Sequence, residues 1–222
     1  MATFALIHGA ADFGWYWHLV QRELRSRGHQ SVAPDLPCDD DSAGLPEYAD
    51  TVAQAVGDHD DVVVVAQSFG GFTAPLVAER VRADALVLVT GMIPAPGEAP
   101  DDWSVNTGFD RVTRPQQGDV FYHDVPPDLA AIARGKSRAQ SDTPGRDPWP
   151  LSAWPDVPTR FILCTQDRFF PPEFMGQVVA DRLGVVPDEI ASGHCPALSR
   201  PRDLAAMLAR YATGLGSERG EP

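Results

Sequence analysis

The sequence predicts an α/β fold built on a mostly or wholly parallel sheet of about six strands flanked by helices. Three observations carry that expectation. Short apolar runs alternate with longer amphipathic segments, the pattern of strand–helix units that place a sheet between helices. Residues 62–66 read Val-Val-Val-Val-Ala, the continuous β-branched run of a strand covered on both faces. Gly28, Pro34 and Gly57 fall at the joints between runs, where chain breakers belong.

The elements follow in order. Thr3–Ile7 is the first strand, ending at His8-Gly9. Residues 19–27 form a helix that Gly28 stops, and 31–33 a short strand before Pro34. Leu45–Val56 is the second helix, with Gly57 as its cap. Residues 62–66 are the central strand, and a helix follows over 69–81. Strands at 85–90, Thr159–Cys164 and 185–190, with helices at Pro172–Leu183 and 202–213, complete the alternation. The exception is 95–155, rich in Pro, Asp and Gly and without a sustained period. It also carries Trp103, Phe109, Phe121, Tyr122, Trp149 and Trp154. The bland account is a surface excursion, but so long a segment in a compact domain usually has a function. It reads as a small cap insertion over the strand ends. The expected division is a core of 1–94 and 156–214, a cap of 95–155 and a disordered tail of 215–222.

Composition bounds the function. At 222 residues and 43% apolar, the chain can bury a full single-domain core. Its net charge of −13 argues against nucleic acid or an anionic membrane as partner, since both are polyanions. The 21 prolines are nearly twice the roughly 5% average, and gather partly in 95–155 and at corners such as Pro34 and Pro37. Cys38, Cys164 and Cys195 form no CxxC pair, which suggests a reducing compartment without disulfides or structural zinc. Met1-Ala2-Thr3-Phe4 lacks a basic n-region, and no apolar stretch approaches the roughly 18 residues of a membrane span. A cytoplasmic location is expected. No motif sets an oligomeric state.

The chemistry concentrates at Ala66-Gln67-Ser68-Phe69-Gly70-Gly71. A buried strand runs into Ser68 and a helix leaves it, as in a nucleophile elbow. Ala66 and Gly70 keep the turn small, and Ala66 departs by one methyl from the usual G-x-S-x-G. The helix start favours developing negative charge. The bland alternative is Ser68 as a helix N-cap. A serine hydroxyl needs a base. Of the six histidines, His18, His29 and His59 belong to helix or turn positions away from the strand ends. His194 follows the last strand and can reach over the sheet edge; alone it would read as a surface-loop histidine. Asp167, just after the Thr159–Cys164 strand, suits the carboxylate that orients the base. The chain order Ser, Asp, His is one of the known arrangements of such a triad. The N–H of Phe69 supplies one oxyanion donor, and Gly9 lets the chain aim the N–H of Ala10 as the second. His8 reads as a support for that loop. No phosphate-binding glycine motif or metal-ligand spacing is present, so no cofactor and no metal are expected.

Together these residues resemble the α/β-hydrolase superfamily over nearly the whole chain. The branch they resemble is that of small esterases and hydroxynitrile lyases, with the plant methylesterases. Ile7-His8-Gly9-Ala10 followed by Trp15 and Trp17, Arg27-Gly28-His29, and Ala33-Pro34-Asp35-Leu36-Pro37 carry the likeness. So do Ser68-Phe69-Gly70-Gly71, Tyr122-His123-Asp124, Arg138-Ala139-Gln140-Ser141, Asp167-Arg168, and Gly193-His194 with Leu198-Ser199-Arg200-Pro201. The resemblance implies Ser68, His194 and Asp167 as catalytic, Ala10 and Phe69 as oxyanion donors, and 95–155 as the pocket lid. It also implies a cofactor-free enzyme acting on a small-molecule ester. Hydroxynitrile lyases of this branch carry Thr where Gly9 stands and Lys where Cys195 stands, so ester hydrolysis is favoured. Two alternatives remain: a lyase or C–C bond hydrolase on the same triad, and a ligand-binding protein with reduced catalysis. Activity on esters but not on cyanohydrins or β-diketones separates the first. Tight ligand retention without turnover would mark the second.

Overall fold

The computed structural model describes residues 1–113 and 118–218, with side chains as far as residue 213. Its strands are β1 (Thr3–Ile7), β2 (Gln30–Val32), β3 (Val62–Gln67), β4 (Ala85–Val89), β5 (Thr159–Cys164) and β6 (Asp188–Ile190). They form one six-stranded sheet in the order β2-β1-β3-β4-β5-β6, with every pairing parallel. The α-helices are α1 (His18–Ser26), α2 (Leu45–Val56), α3 (Gly70–Val81), α4 (Trp103–Thr107), α5 (Pro127–Lys136), α6 (Thr143–Arg146), α7 (Pro172–Leu183), α8 (Pro196–Ser199) and α9 (Pro201–Glu218).

Successive side chains of a strand point to opposite faces, and the two cores divide on that rule. Val62, Val64 and Ala66 of β3 join a core with Val52 of α2, Val77 of α3 and Val179 of α7. Val63 and Val65 join the other, with Leu24 of α1 and Leu204 and Leu208 of α9. β1, β3 and β4 are buried along their whole lengths. No solvated face is left, hence the unbroken apolar runs. Each buried Val or Leu contributes roughly 1.5–3 kcal/mol, so these three strands are the rigid base from which the site loops project.

Boundaries differ where local chemistry intervenes. β4 ends at Val89 because Thr90 turns to φ +42°, outside the strand region. β6 begins only at Asp188. Pro187 before it has no N–H to give the ladder, and Val186 is exposed. A short 3-10 turn at Gly14–Trp17 precedes α1. α9 starts on Pro201, as proline suits a first helical position, and runs to Glu218 rather than ending at 213. Residues 215–218 of the expected tail thus continue this helix, and 219–222 lie outside the described residues.

The 95–155 segment is more divided than its composition suggested. Trp103, Phe109 and Trp149 lie in the core layer beside α3 and α7. The Trp103 and Trp149 indole N–H groups donate to the carbonyls of Ile93 and Phe72, at 3.0 and 3.1 Å. Among the described residues, the stretch around 119–138 stands instead over the strand ends, where Phe121, Tyr122 and Arg134 line a cavity.

The sheet order places the site. The chain moves from β1 outward to β2, then returns to β3 on the other side of β1. Loops leaving β1 and β3 therefore diverge, and such a switch point opens a crevice at the carboxyl ends of the strands. Those loops carry Gly9-Ala10 and Ser68.

Candidate active site

Ser68 leaves β3 at φ +52°, a left-handed conformation uncommon for a residue with a side chain. Its carbonyl accepts the N–H of Gly71 at 3.0 Å, closing the turn, and the N–H of Met92 at 2.9 Å. A Cβ on Gly71 would stand 1.9 Å from the Met92 carbonyl oxygen, and one on Gly70 2.8 Å from that of His8. The two glycines are thus required by the β1 and β4 loops pressed against the turn. Phe69 occupies the N-cap position of α3, and no side chain caps the helix. The Ser68 hydroxyl is engaged elsewhere: its Oγ lies 3.1 Å from His194 Nε2.

His194 Nδ1 lies 2.8 Å from Asp167 Oδ2. An ionised carboxylate only accepts, so Nδ1 carries the proton and Nε2 is left to accept from Ser68. Asp167 is tied on every side. Thr90 Oγ1 donates to Oδ2 at 2.7 Å, and the N–H groups of Phe169 and Phe170 donate to Oδ1 at 2.8 and 3.0 Å. The two loops are joined by backbone, since the Gln166 N–H donates to the Ser192 carbonyl at 3.0 Å. Gln67 Nε2 donates to the His194 carbonyl at 3.0 Å. The rings of Phe121, Phe169 and Phe170 meet the imidazole edge-on, at centroid distances of 5.4, 5.0 and 5.3 Å. His194 is only 2% exposed, so its hydrogen bonds act in a low-dielectric setting that strengthens them. None of the other histidines bonds Ser68. His18 turns to the Trp15 carbonyl, His29 to the Ala2 N–H and His123 to the Gln166 carbonyl.

The β1 loop presents Ala10 beside Ser68 on the cavity wall. Among the described residues, the N–H groups of Ala10 and Phe69 have no hydrogen-bond partner. The loop is fixed from both ends. Buried His8 accepts the Leu36 N–H on Nε2 at 3.0 Å and donates from Nδ1 to the Gly9 carbonyl at 2.8 Å. Burial pulls its pKa down to about 4, keeping it neutral for both bonds. From the other side, Gln140 Oε1 accepts the Ala11 N–H at 3.0 Å, and Arg138 donates to the carbonyls of Asp12 and Leu36. The Arg138-Ala139-Gln140-Ser141 motif thereby serves to brace the β1 loop. A Cβ at Gly9 would lie 2.7 Å from Gln67 Oε1, whose amide already holds His194. A side chain here must displace that support.

A cavity of about 380 Å³ opens over Ser68. Phe121, Tyr122 and Phe169 give it an aromatic wall, with Asp12, Arg134 and Ser137 at the polar side. Burial, with the nearby Arg138 and Phe13 N–H opposing, raises the Asp12 pKa to about 6. Burial also raises the Tyr122 phenol and the Cys195 thiol well above their ordinary ranges, so both stay neutral. No three His, Cys, Asp or Glu side chains among the described residues are grouped to hold a metal ion, and no described helix is long and apolar enough to cross a membrane.

All five residues expected from the sequence thus meet at one sheet edge. Sequence reasoning missed Thr90, Gln67 and the bracing role of Arg138 and Gln140. Only the family motif signalled the last pair. Nothing local marks Thr90 or Gln67.

A fully parallel sheet whose central strand ends in a left-handed serine, under a carboxylate-bound histidine, is the layout of the α/β-hydrolase class. The alpha/beta hydrolase family profile matches residues 4–207, and the chain belongs to that family. It is 23% identical to methylesterase 7 of Arabidopsis thaliana, over 94% of this chain and 95% of the relative. It is 22% identical to norfluorocurarine synthase 1 of a Strychnos species, over 94% of each chain. A pyrethroid hydrolase structure from Sphingobium faniae JZ-2 matches with a TM-score of 0.79 at 22% identity, covering 96% of this chain and 97% of that one; this is a likeness of fold.

Proposed function

We propose that the protein is a serine hydrolase that cleaves a small carboxylic ester through an acyl-enzyme on Ser68. The observation that carries this reading is the continuous path from Ser68 Oγ through His194 to Asp167, at 3.1 and 2.8 Å, facing an aromatic-walled cavity. Ser68 attacks the ester carbonyl while His194 Nε2 takes its proton. The tetrahedral oxyanion rests on the N–H groups of Ala10 and Phe69. His194 then protonates the departing alcohol. Water, deprotonated by the same imidazole, releases the acid and restores Ser68. Asp167 orients the imidazole and stabilises its charged form. A cavity of about 380 Å³ accommodates a small ester. The aromatic wall favours an apolar acyl or alcohol group, and the lid role narrows to about 119–138.

The methylesterase relative supports the same reaction class here. Against a cyanohydrin lyase stand Gly9, where a side chain would have to displace the Gln67 amide, and Cys195, whose buried neutral thiol offers no cation. The test is a panel of esters of varied acyl and alcohol length, run on wild type and Ser68→Ala. Wild type should turn over short esters and Ser68→Ala should not. Equal rates for the two proteins would refute the reading.

A further inference from the structure

The Tyr122-His123-Asp124 motif takes no part in the chemistry above, yet two of its side chains touch the loops that carry Asp167 and His194. His123 Nε2 lies 2.9 Å from the carbonyl of Gln166, the residue before Asp167. The carbonyl can only accept, so His123 donates. Asp124 Oδ2 accepts the N–H of Gly193, the residue before His194, at 2.8 Å. It also accepts from the Ser192 hydroxyl at 3.2 Å, and that hydroxyl contacts Ser199 Oγ of α8 at 2.7 Å. The fit leaves no slack: a Cβ on Gly193 would stand 2.6 Å from both Asp124 Oδ1 and His123 Nε2. Phe121, just upstream, lies edge-on to the His194 ring. Asp124 Oδ1 is itself buried with no hydrogen-bond partner among the described residues. A carboxylate in that setting costs more than an apolar residue of the same shape, so packing alone does not account for it.

We propose that His123 and Asp124 are positioning residues, a two-armed clamp by which the insertion fixes the acid–base loops relative to Ser68. The proposal rests on the reading of Ser68, His194 and Asp167 as the catalytic set. The two loops hold each other through the Gln166–Ser192 backbone bond, but that bond does not anchor them as a pair. The clamp does, one arm to each loop, each on the residue just before the functional one. Misplacing a reacting group by about 1 Å can cost on the order of 100-fold in rate. Substrate contacts the cavity wall rather than the clamp, so its binding is little affected.

The test measures steady-state hydrolysis of p-nitrophenyl acetate by His123→Ala, Asp124→Ala and their conservative counterparts His123→Gln and Asp124→Asn. Gln can still donate to Gln166, and Asn can still accept from Gly193. Each Ala variant should lose about 10- to 100-fold in kcat with KM within about 3-fold, and its counterpart should recover most of that loss. The far-downfield proton NMR signal of the His194 Nδ1–H should broaden or vanish in the Ala variants and return in the counterparts. If Asp124→Ala does not fold, Gly193→Ala takes its place. Its Cβ presses on Asp124 and His123 and pries the clamp open without replacing either residue, and the same fall in kcat is expected. Ala variants within about 2-fold of wild-type kcat, or counterparts as impaired as the Ala variants, would overturn the clamp. Wild type and Ser68→Ala are run alongside. An inert wild type, or an active Ser68→Ala, would sink the catalytic reading itself, whereas normal controls with normal Ala variants would sink only the clamp.

Discussion

The nucleophile and its base are positioned in opposite ways. Ser68 is held chiefly by its own neighbourhood: a buried strand before it, two glycines after it, and a backbone turn closed over three residues, with one further bond from the Met92 N–H. His194 and Asp167 are held from a distance. Thr90 reaches Asp167 across 77 residues of chain, Gln67 reaches His194 across 127, and Asp124 reaches Gly193 across 69. The elbow is a sequence motif because its constraint is steric, small residues at fixed spacing around Ser68 wherever the β1 and β4 loops press on the turn. The acid–base side is an assembly of hydrogen bonds between segments that share only the end of the sheet. Changes at the elbow should therefore damage fold and activity together, and changes on the other side should damage activity first.

The largest effect should come from the base itself. His194→Ala should lower kcat for a short ester by about 10⁴-fold or more with an unchanged circular dichroism spectrum. A loss under about 10-fold would remove His194 from the reaction. Gly71→Ala tests the elbow. Its Cβ must push back the Met92 backbone, which should cost about 3 kcal/mol, the upper end for overpacking, and lower the midpoint of urea unfolding. An unchanged midpoint would mean that the β4 loop yields freely.

The β1 loop offers a third test, through pH. His8 has a folded pKa of about 4 against an ordinary 6.5. Between those values the unfolded chain binds the extra proton, so stability rises with pH there and falls as pH is lowered through the window. The full effect is about 3 kcal/mol. Buried Asp12 works in the opposite sense over much the same range. The measurement is therefore the difference in unfolding free energy between wild type and His8→Gln. It should shift against wild type from about pH 6.5 to pH 4, and a constant difference would contradict the account. The smallest effect belongs to Thr90→Val. It removes one donor to Asp167 and should cost about 10-fold in kcat, with KM held.

The same contrast explains what the sequence made legible. Strands β1, β3 and β4 were readable because burial on both faces writes an apolar run directly into the chain, whereas the short and partly exposed β2 and β6 were legible only from their place in the strand–helix alternation. Ser68, Asp167 and His194 were readable because each follows a recognisable strand. The inner division of 95–155 was not. Trp103 and Trp149 complete the core while Phe121 and Tyr122 face the cavity, and an aromatic residue looks the same in either role. Thr90 and Gln67 gave no signal, because their partners lie far along the chain and their local sequence is ordinary strand.

The central claim is that Ser68 carries the acyl group. A fluorophosphonate probe with peptide mapping by mass spectrometry tests it most directly. The label should fall on Ser68 in wild type, be absent from Ser68→Ala, and form far more slowly in His194→Ala. Labelling at another residue, or a wild-type enzyme that hydrolyses esters while Ser68 stays unmodified, would contradict the account.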